Sequence, residues 1–402
     1  MYGLSGVTAL AYEVLWMRPV TLLFGVGNFG VVITVAAFMA GLGVGSLLGA
    51  RISCSPRRAL MLSALIESSL AIFALLLPTL LPLIDQRLVV YGATITLAEW
   101  QLLEAVLSFV LLLLPATAMG MVFPLLLIAA RSCNLSVALL YGCNAVGGVV
   151  GALLPLLLLP WVGWSSALYL LLLSGLLLSA ALALLATEVT DEVEQGSPAL
   201  SSHSPPLLDL LSYAAVGAAA LMIEIGWVRM FGMVLLRTEY LLALVLALML
   251  AGIGGGSLLA HLWQTERLFR ALPWLAAVGV LATLVAWPWL GLWVDGVRVD
   301  SLGEAIVVQG ALVALLTLPT TLAFGAWLPL LSQRFAAVNG SGHGSASWLY
   351  GANSLGAATG AVIAGMVLMP WVGTPATLVV AALLLLLAAL RWSGAQPLRF
   401  GG

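Results

Sequence analysis

The chain of 402 residues contains no lysine; all 14 of its basic residues are arginine. That absence removes whole chemistries. A phosphate-binding P-loop needs its Lys, and so does an enzyme working through a Schiff base. Charge of either sign is scarce: 7% of residues are charged, against about 25% in a soluble globular chain. Histidine is nearly missing, with three residues scattered at 203, 261 and 343. No HExxH, CxxC or GxSxG spacing occurs, so no metal set or nucleophile–base pair is recognisable. Cysteines 54, 133 and 143 suggest no disulfide framework, since none falls in a segment placed outside. The expectation is a non-enzyme with no catalytic residue, no metal and no cofactor, and without a nucleic-acid partner.

What the chain has is apolar length. It is 63% hydrophobic. It cannot cover itself with a polar surface, so lipid is its expected solvent. A hydrocarbon core about 30 Å thick needs roughly 20 apolar residues per helix, and runs of that length recur almost throughout. The short alternating segments of a strand barrel are absent. The first run lacks a basic start, carries Glu13 mid-span and is too long for a signal core, so it reads as a retained helix. Its polar N-terminal flank is almost missing, as in a chain that starts late.

Six spans are expected near 2–24, 29–50, 59–84, 103–130, 137–160 and 165–186. Six more are expected near 210–235, 240–262, 269–293, 304–331, 346–369 and 374–392. Between them runs an acidic segment with Pro198, Pro205 and Pro206, read as a tether. The predicted organisation is a first six-helix bundle over 1–187, a cytoplasmic linker over 188–209 and a second bundle over 210–402.

The two halves repeat each other. Glu13, Trp16, Arg18, Gly41, Gly43, Gly45 and Ser46 recur 211 residues later as Glu224, Trp227, Arg229, Gly252, Gly254, Gly256 and Ser257. Leu114-Pro115 with Gly120 and Pro124 recurs as Leu318-Pro319 with Gly325 and Pro329. Tyr141, Asn144, Gly147 and Gly151 recur as Tyr350, Asn353, Gly356 and Gly360, and Pro160-Trp161-Val162-Gly163 as Pro370-Trp371-Val372-Gly373. Order holds throughout and spacing within each block holds to one residue, which marks a duplication. With the N-terminus in the cytoplasm, nine arginines fall in inside segments, while only Arg87, Arg237 and Arg298 fall outside. An even number of spans per half inserts both halves the same way, as parallel repeats about an axis along the membrane normal. The predicted fold is therefore all-α and polytopic, about 12 transmembrane helices in two parallel six-helix repeats, major-facilitator-like.

Ionisable groups at membrane depth are costly and are functional candidates by default. Glu13 lies near mid-span, with Trp16 on its face one turn on. Arg18 is about 140° further round the helix from Glu13, so the two are poorly placed to pair. Glu67 is a partner for Arg18 by depth. Two readings stand open: Glu13 and Glu224 bind a cation or proton beside a central cavity, or Glu and Arg are internal pairs that fix packing. Asn144 and Asn353 either bridge helices or touch a polar solute. The glycines spaced by four strip one helix face, so that a neighbouring backbone can approach. Pro115, Pro124, Pro319 and Pro329 kink their spans, and Trp161 and Trp371 sit at span ends, where aromatic belts form.

Ala11-Tyr12-Glu13-Val14-Leu15-Trp16-x-Arg18, then Ala37-Phe38-Met39-Ala40-Gly41-Leu42-Gly43-Val44-Gly45-Ser46-x-x-Gly49, resembles the membrane domain of bacterial fused major-facilitator/spermidine-synthase-like proteins. The Tyr-Gly-x-Asn and Leu-Pro-x-x-Gly segments look similar to the same family. The resemblance covers nearly the whole chain and implies a multi-pass protein of the bacterial plasma (inner) membrane. Many relatives carry a soluble aminopropyltransferase-like domain after the membrane part, and no such motif can be matched here. The expected function is a transporter for a small cation such as a polyamine, or for protons. The alternative is a non-transporting anchor or scaffold for a separately encoded enzyme or a larger membrane complex. Expected partners are membrane lipid, a small cationic solute and a soluble or membrane protein.

Overall fold

In lipid, an α-helix satisfies all of its backbone polar groups within one segment, and the apolar runs adopt it throughout. The computed structural model describes residues 1–24, 28–92, 94–131, 133, 135–189, 204–235, 239–296, 301–339 and 342–393. The expected linker over 188–209 lies mostly outside these residues. The first half holds α1 (Tyr2–Phe24), α2 (Asn28–Gly49), α3 (Pro56–Gly92), α4 (Leu97–Arg131) and α5 (Val137–Glu188). The second holds α6 (Leu207–Val234), α7 (Glu239–Leu262), α8 (Glu266–Gly296), α9 (Leu302–Asn339), α10 (Gly342–Val362) and α11 (Met369–Ser393). A π-helical turn, Ile363–Leu368, joins the last two.

Hydroxyl side chains mark where several helices start. Ser136 Oγ accepts from the Leu139 N–H at 3.2 Å to open α5. Thr265 does the same for Leu268, at 3.2 Å, at the head of α8. At α4, Thr96 and Glu99 form a reciprocal capping box. The Thr96 N–H donates to the Glu99 carboxylate at 2.8 Å, and the Glu99 N–H donates back to Thr96 Oγ1 at 3.4 Å.

Ten stretches among the described residues are long and apolar enough to cross a membrane. One of them, His343–Trp392, contains two spans, because Gly373 breaks the helix at φ 83°. In α5, Gly163 makes the same break at φ 72°. Only glycine adopts this left-handed region at no steric cost, so one residue does the work of a loop. α1, which carries Glu13 and Arg18, completes the expected twelve.

The repeat governs packing. In the first half α1 runs beside α5 and α2 beside α4; in the second, α6 runs beside α10 and α7 beside α9. The glycine ladders sit at each of these crossings. Gly147 and Gly151 press on the backbone of Gly3 and Val7, and Gly356 and Gly360 on that of Ala214 and Ala218. Gly45 meets Thr117, and Gly256 meets Leu322, at distances that leave no room for a Cβ. These contacts advance in the same direction along both helices, so the paired spans are parallel. Backbone approach of this kind is the way small residues drive helix association in lipid.

Two further crossings join the halves, α2 with α10 and α5 with α7. Gly43 faces Gly351 in one, and Gly254 faces Gly142 in the other. Each is pinned by a serine: Ser46 Oγ donates to the Ser347 carbonyl at 2.8 Å, and Ser257 Oγ donates to the Ala138 carbonyl at 2.8 Å. Ser46 and Ser257 are repeat mates, and so are the two acceptors. These two serine bonds thus obey the pseudo-twofold.

Candidate binding cavity

A cavity of about 70 Å³ opens beside the pseudo-twofold axis, walled by α1, α2, α3, α4, α5 and α10. Its polar lining is Tyr2, Ser5, Tyr12, Glu13, Glu67, Asn144 and Tyr350. All but Tyr350 come from the first half.

Glu13 reaches the cavity from the middle of α1. It has no hydrogen bond or ion pair among the described residues, and it lies within electrostatic reach of Glu224 and Tyr350. Glu224, on α6, is half-buried and likewise has no hydrogen bond or ion pair among the described residues. Glu67 is buried on α3 and accepts a short hydrogen bond, 2.5 Å, from Ser5 Oγ. Tyr12 stands one residue before Glu13 and donates its hydroxyl to the Leu171 carbonyl at 2.9 Å. Its ring stacks on Trp16 at 5.3 Å. No basic side chain lines the cavity among the described residues.

An aromatic group closes one end. Phe123 lies 4.8 Å from Tyr350, 6.3 Å from Tyr141 and 6.0 Å from Tyr2, ring centre to ring centre. Tyr141 and Tyr350 are repeat mates 6.2 Å apart. They meet where the axis passes, about one turn from the start of α5 and about two from the start of α10. The two described histidines tie the halves at that end. His261 Nδ1 lies 3.0 Å from Ser136 Oγ, and His343 Nε2 lies 3.1 Å from the Leu135 carbonyl.

The structure distributes the other sequence-predicted residues more widely. Trp16 and Trp227 are fully buried in the cores of their own halves, each with an indole N–H that has no hydrogen-bond partner among the described residues. Neither lines the cavity. Arg229 is exposed five residues from the end of α6, within reach of the interface for a long side chain. The side chain of Arg18 lies outside the described residues. Asn353 does not share the role of its mate: its amide bridges to the Tyr213 carbonyl at 3.3 Å, while Asn144 lines the cavity. Sequence reasoning missed Ser5 as the partner of Glu67 and missed the Tyr141–Tyr350 closure. The repeat places the two tyrosines at matching positions, and that pattern could have found them.

No family model and no curated protein matches the chain. Among solved structures it is similar to a bacterial homologue of the iron transporter ferroportin in an outward-facing state, at 15% identity and a TM-score of 0.60 over 98% of each chain. It is also similar to the nucleoside transporter NupG, at 12% identity and a TM-score of 0.53 over 98% of each chain. The likeness shows the fold: a polytopic helical membrane protein of the major-facilitator type.

Proposed function

We propose that the protein carries a small cation across the bacterial plasma membrane, with Glu13 and Glu224 facing the path from either side of the axis. The observation that carries this reading is Glu13, a carboxylate at mid-span, lining a cavity without a partner among the described residues. A carboxylate held away from water without compensation is expensive. The solute class that compensates it is cationic, a polyamine or a proton. The resemblance to the membrane part of synthase-fused proteins supports the polyamine, and the transporter neighbours support movement of a solute. The arginines favour cytoplasmic termini.

Purified protein in proteoliposomes tests the proposal. Glu13→Gln and Glu224→Gln should each lower uptake of the transported cation at least tenfold, with the amount of folded protein unchanged. Wild-type uptake of every candidate cation by both variants removes the pair from the mechanism.

The seam favours a second reading. Two glycine crossings, each pinned by a serine, suit a rigid scaffold as well as a moving one. A stoichiometric partner in a mild-detergent pull-down, together with no uptake by the wild type, supports a scaffold.

A further inference from the structure

Glu67 and Glu13 both line the same cavity. Glu67 is fixed at the level of Ser5 by their hydrogen bond. Ser5 and Glu13 are eight residues apart on α1, a rise of about 12 Å. Helical side chains lean toward the N-terminus, so Glu13 hangs back toward Ser5. Glu13 and Glu67 share no hydrogen bond among the described residues, so a proton passing between them needs a chain of water in the cavity. The cavity of about 70 Å³ has room for water, which needs roughly 10–15 Å³ per molecule on the same measure.

The Ser5–Glu67 bond is not required to pack α1 on α3. The repeat holds the equivalent positions of the second half with Val216 and Ala277, both buried. A buried carboxylate that the fold can do without, facing a polar cavity with no basic side chain in its walls among the described residues, points to chemistry. We propose that Glu67 is a proton-carrying group coupled to Glu13 through this cavity. A proton leaving the Glu13 carboxyl passes along the water chain and ends on the Glu67 carboxylate, with the Ser5 hydroxyl holding the acceptor oxygen in place.

The groups that face this path are few. Tyr2 and Tyr12, from α1, lie within electrostatic reach of Glu67. Tyr350 and Glu224 lie within reach of Glu13, and Tyr141 stands behind Tyr350. α2, α4 and α5 offer no charged side chain to the lining. The proposal rests on the reading of Glu13 as a path carboxylate and adds a second station to it.

Infrared difference spectra of the reconstituted full chain, acid minus alkaline, test it directly. The wild type should show a protonated-carboxyl band that Glu67→Gln deletes. Glu13→Gln should move the midpoint of that band by at least a tenfold change in proton concentration. Ser5→Ala should change the frequency of the band, since it removes the hydrogen bond, and it gives a readout even where Glu67→Gln fails to fold. Glu67→Asp should keep a titrating band. A Glu67 that stays in one protonation state throughout, or a midpoint indifferent to Glu13→Gln, overturns the proposal. These spectra need no solute, so their failure is distinct from a failure of cation uptake by the Glu13 and Glu224 variants.

Discussion

Where the first half places Ser5, Tyr12, Glu67 and Val122, the second places Val216, Ile223, Ala277 and Trp327 at the equivalent positions. The helices, the glycine ladders and the serine pins are shared, but these positions are filled in opposite ways. In the second half Trp327 is fully buried among Tyr213 and Trp392, at ring-centre distances of 6.5 and 5.3 Å. Volume that a tryptophan occupies there is left, in the first half, to a valine, a carboxylate and a cavity. One half is packed as a core and the other is opened as a site. At these positions the apolar mates show which polar groups the architecture can spare.

The hardest way to break this comparison is to write the site into the wrong half. Ala277→Glu buries a carboxylate with no Ser5 equivalent, and it should cost about 3–5 kcal/mol, the range seen when a buried charge loses its partner. Gel filtration in detergent should then show little folded protein. Trp327→Ala should cost about 3 kcal/mol or more, the usual range for deleting a buried aromatic. The same truncation at Val122, on the cavity wall, should lower the thermal midpoint less. A gentler test sharpens what the halves share. Ser46→Ala and Ser257→Ala each remove one hydrogen bond across the seam, worth about 1 kcal/mol. As repeat mates they should lower the midpoint equally, and unequal shifts would show that the seam is less symmetric than its geometry.

The smallest effect lies outside the spans. Hydrogen bonds from the Thr96 backbone and hydroxyl hold the Glu99 carboxyl below its ordinary range. A depressed folded-state value adds stability above the ordinary carboxylate range, and that stability is lost as pH falls through the lowered value. Amide exchange in the first turn of α4 should rise on acidification, and Glu99→Gln should remove the dependence. Glu99 is fully exposed, so the change stays local.

Much of this was legible in the amino acids. Span count, duplication and ladder function follow from apolar length and from glycines spaced by four, because both are properties of single helices or of adjacent pairs. Helix geometry alone turns Glu13 and Arg18 apart; the side chain of Arg18 lies outside the described residues, and no ion pair involves Glu13 or Glu224 among them. The partner of Glu67 was harder. Depth alone suggested Arg18, whereas the neighbour in space is Ser5, on the same helix but more than three turns earlier. Choosing between them needs the relative height of α1 and α3, which no periodicity encodes. The asymmetry of the halves was available in principle. Aligning the repeats sets Ser5 against Val216 and Glu67 against Ala277, and a polar residue whose mate is apolar is a candidate for function. The π-helical turn after α10 has no such mark.

The glycine breaks have a last consequence. Trp161 and Trp371 each stand two residues before one, and they are 88% and 85% exposed. They ride the tips of two matching hairpins on opposite sides of the axis. In a bilayer such indoles settle at the headgroup level, so the two tips act as floats at one height. Its upright posture is thereby set from outside, by the water–lipid boundary. Any rocking of one half against the other must push one float down or lift the other, and the lipid itself becomes a spring in that motion.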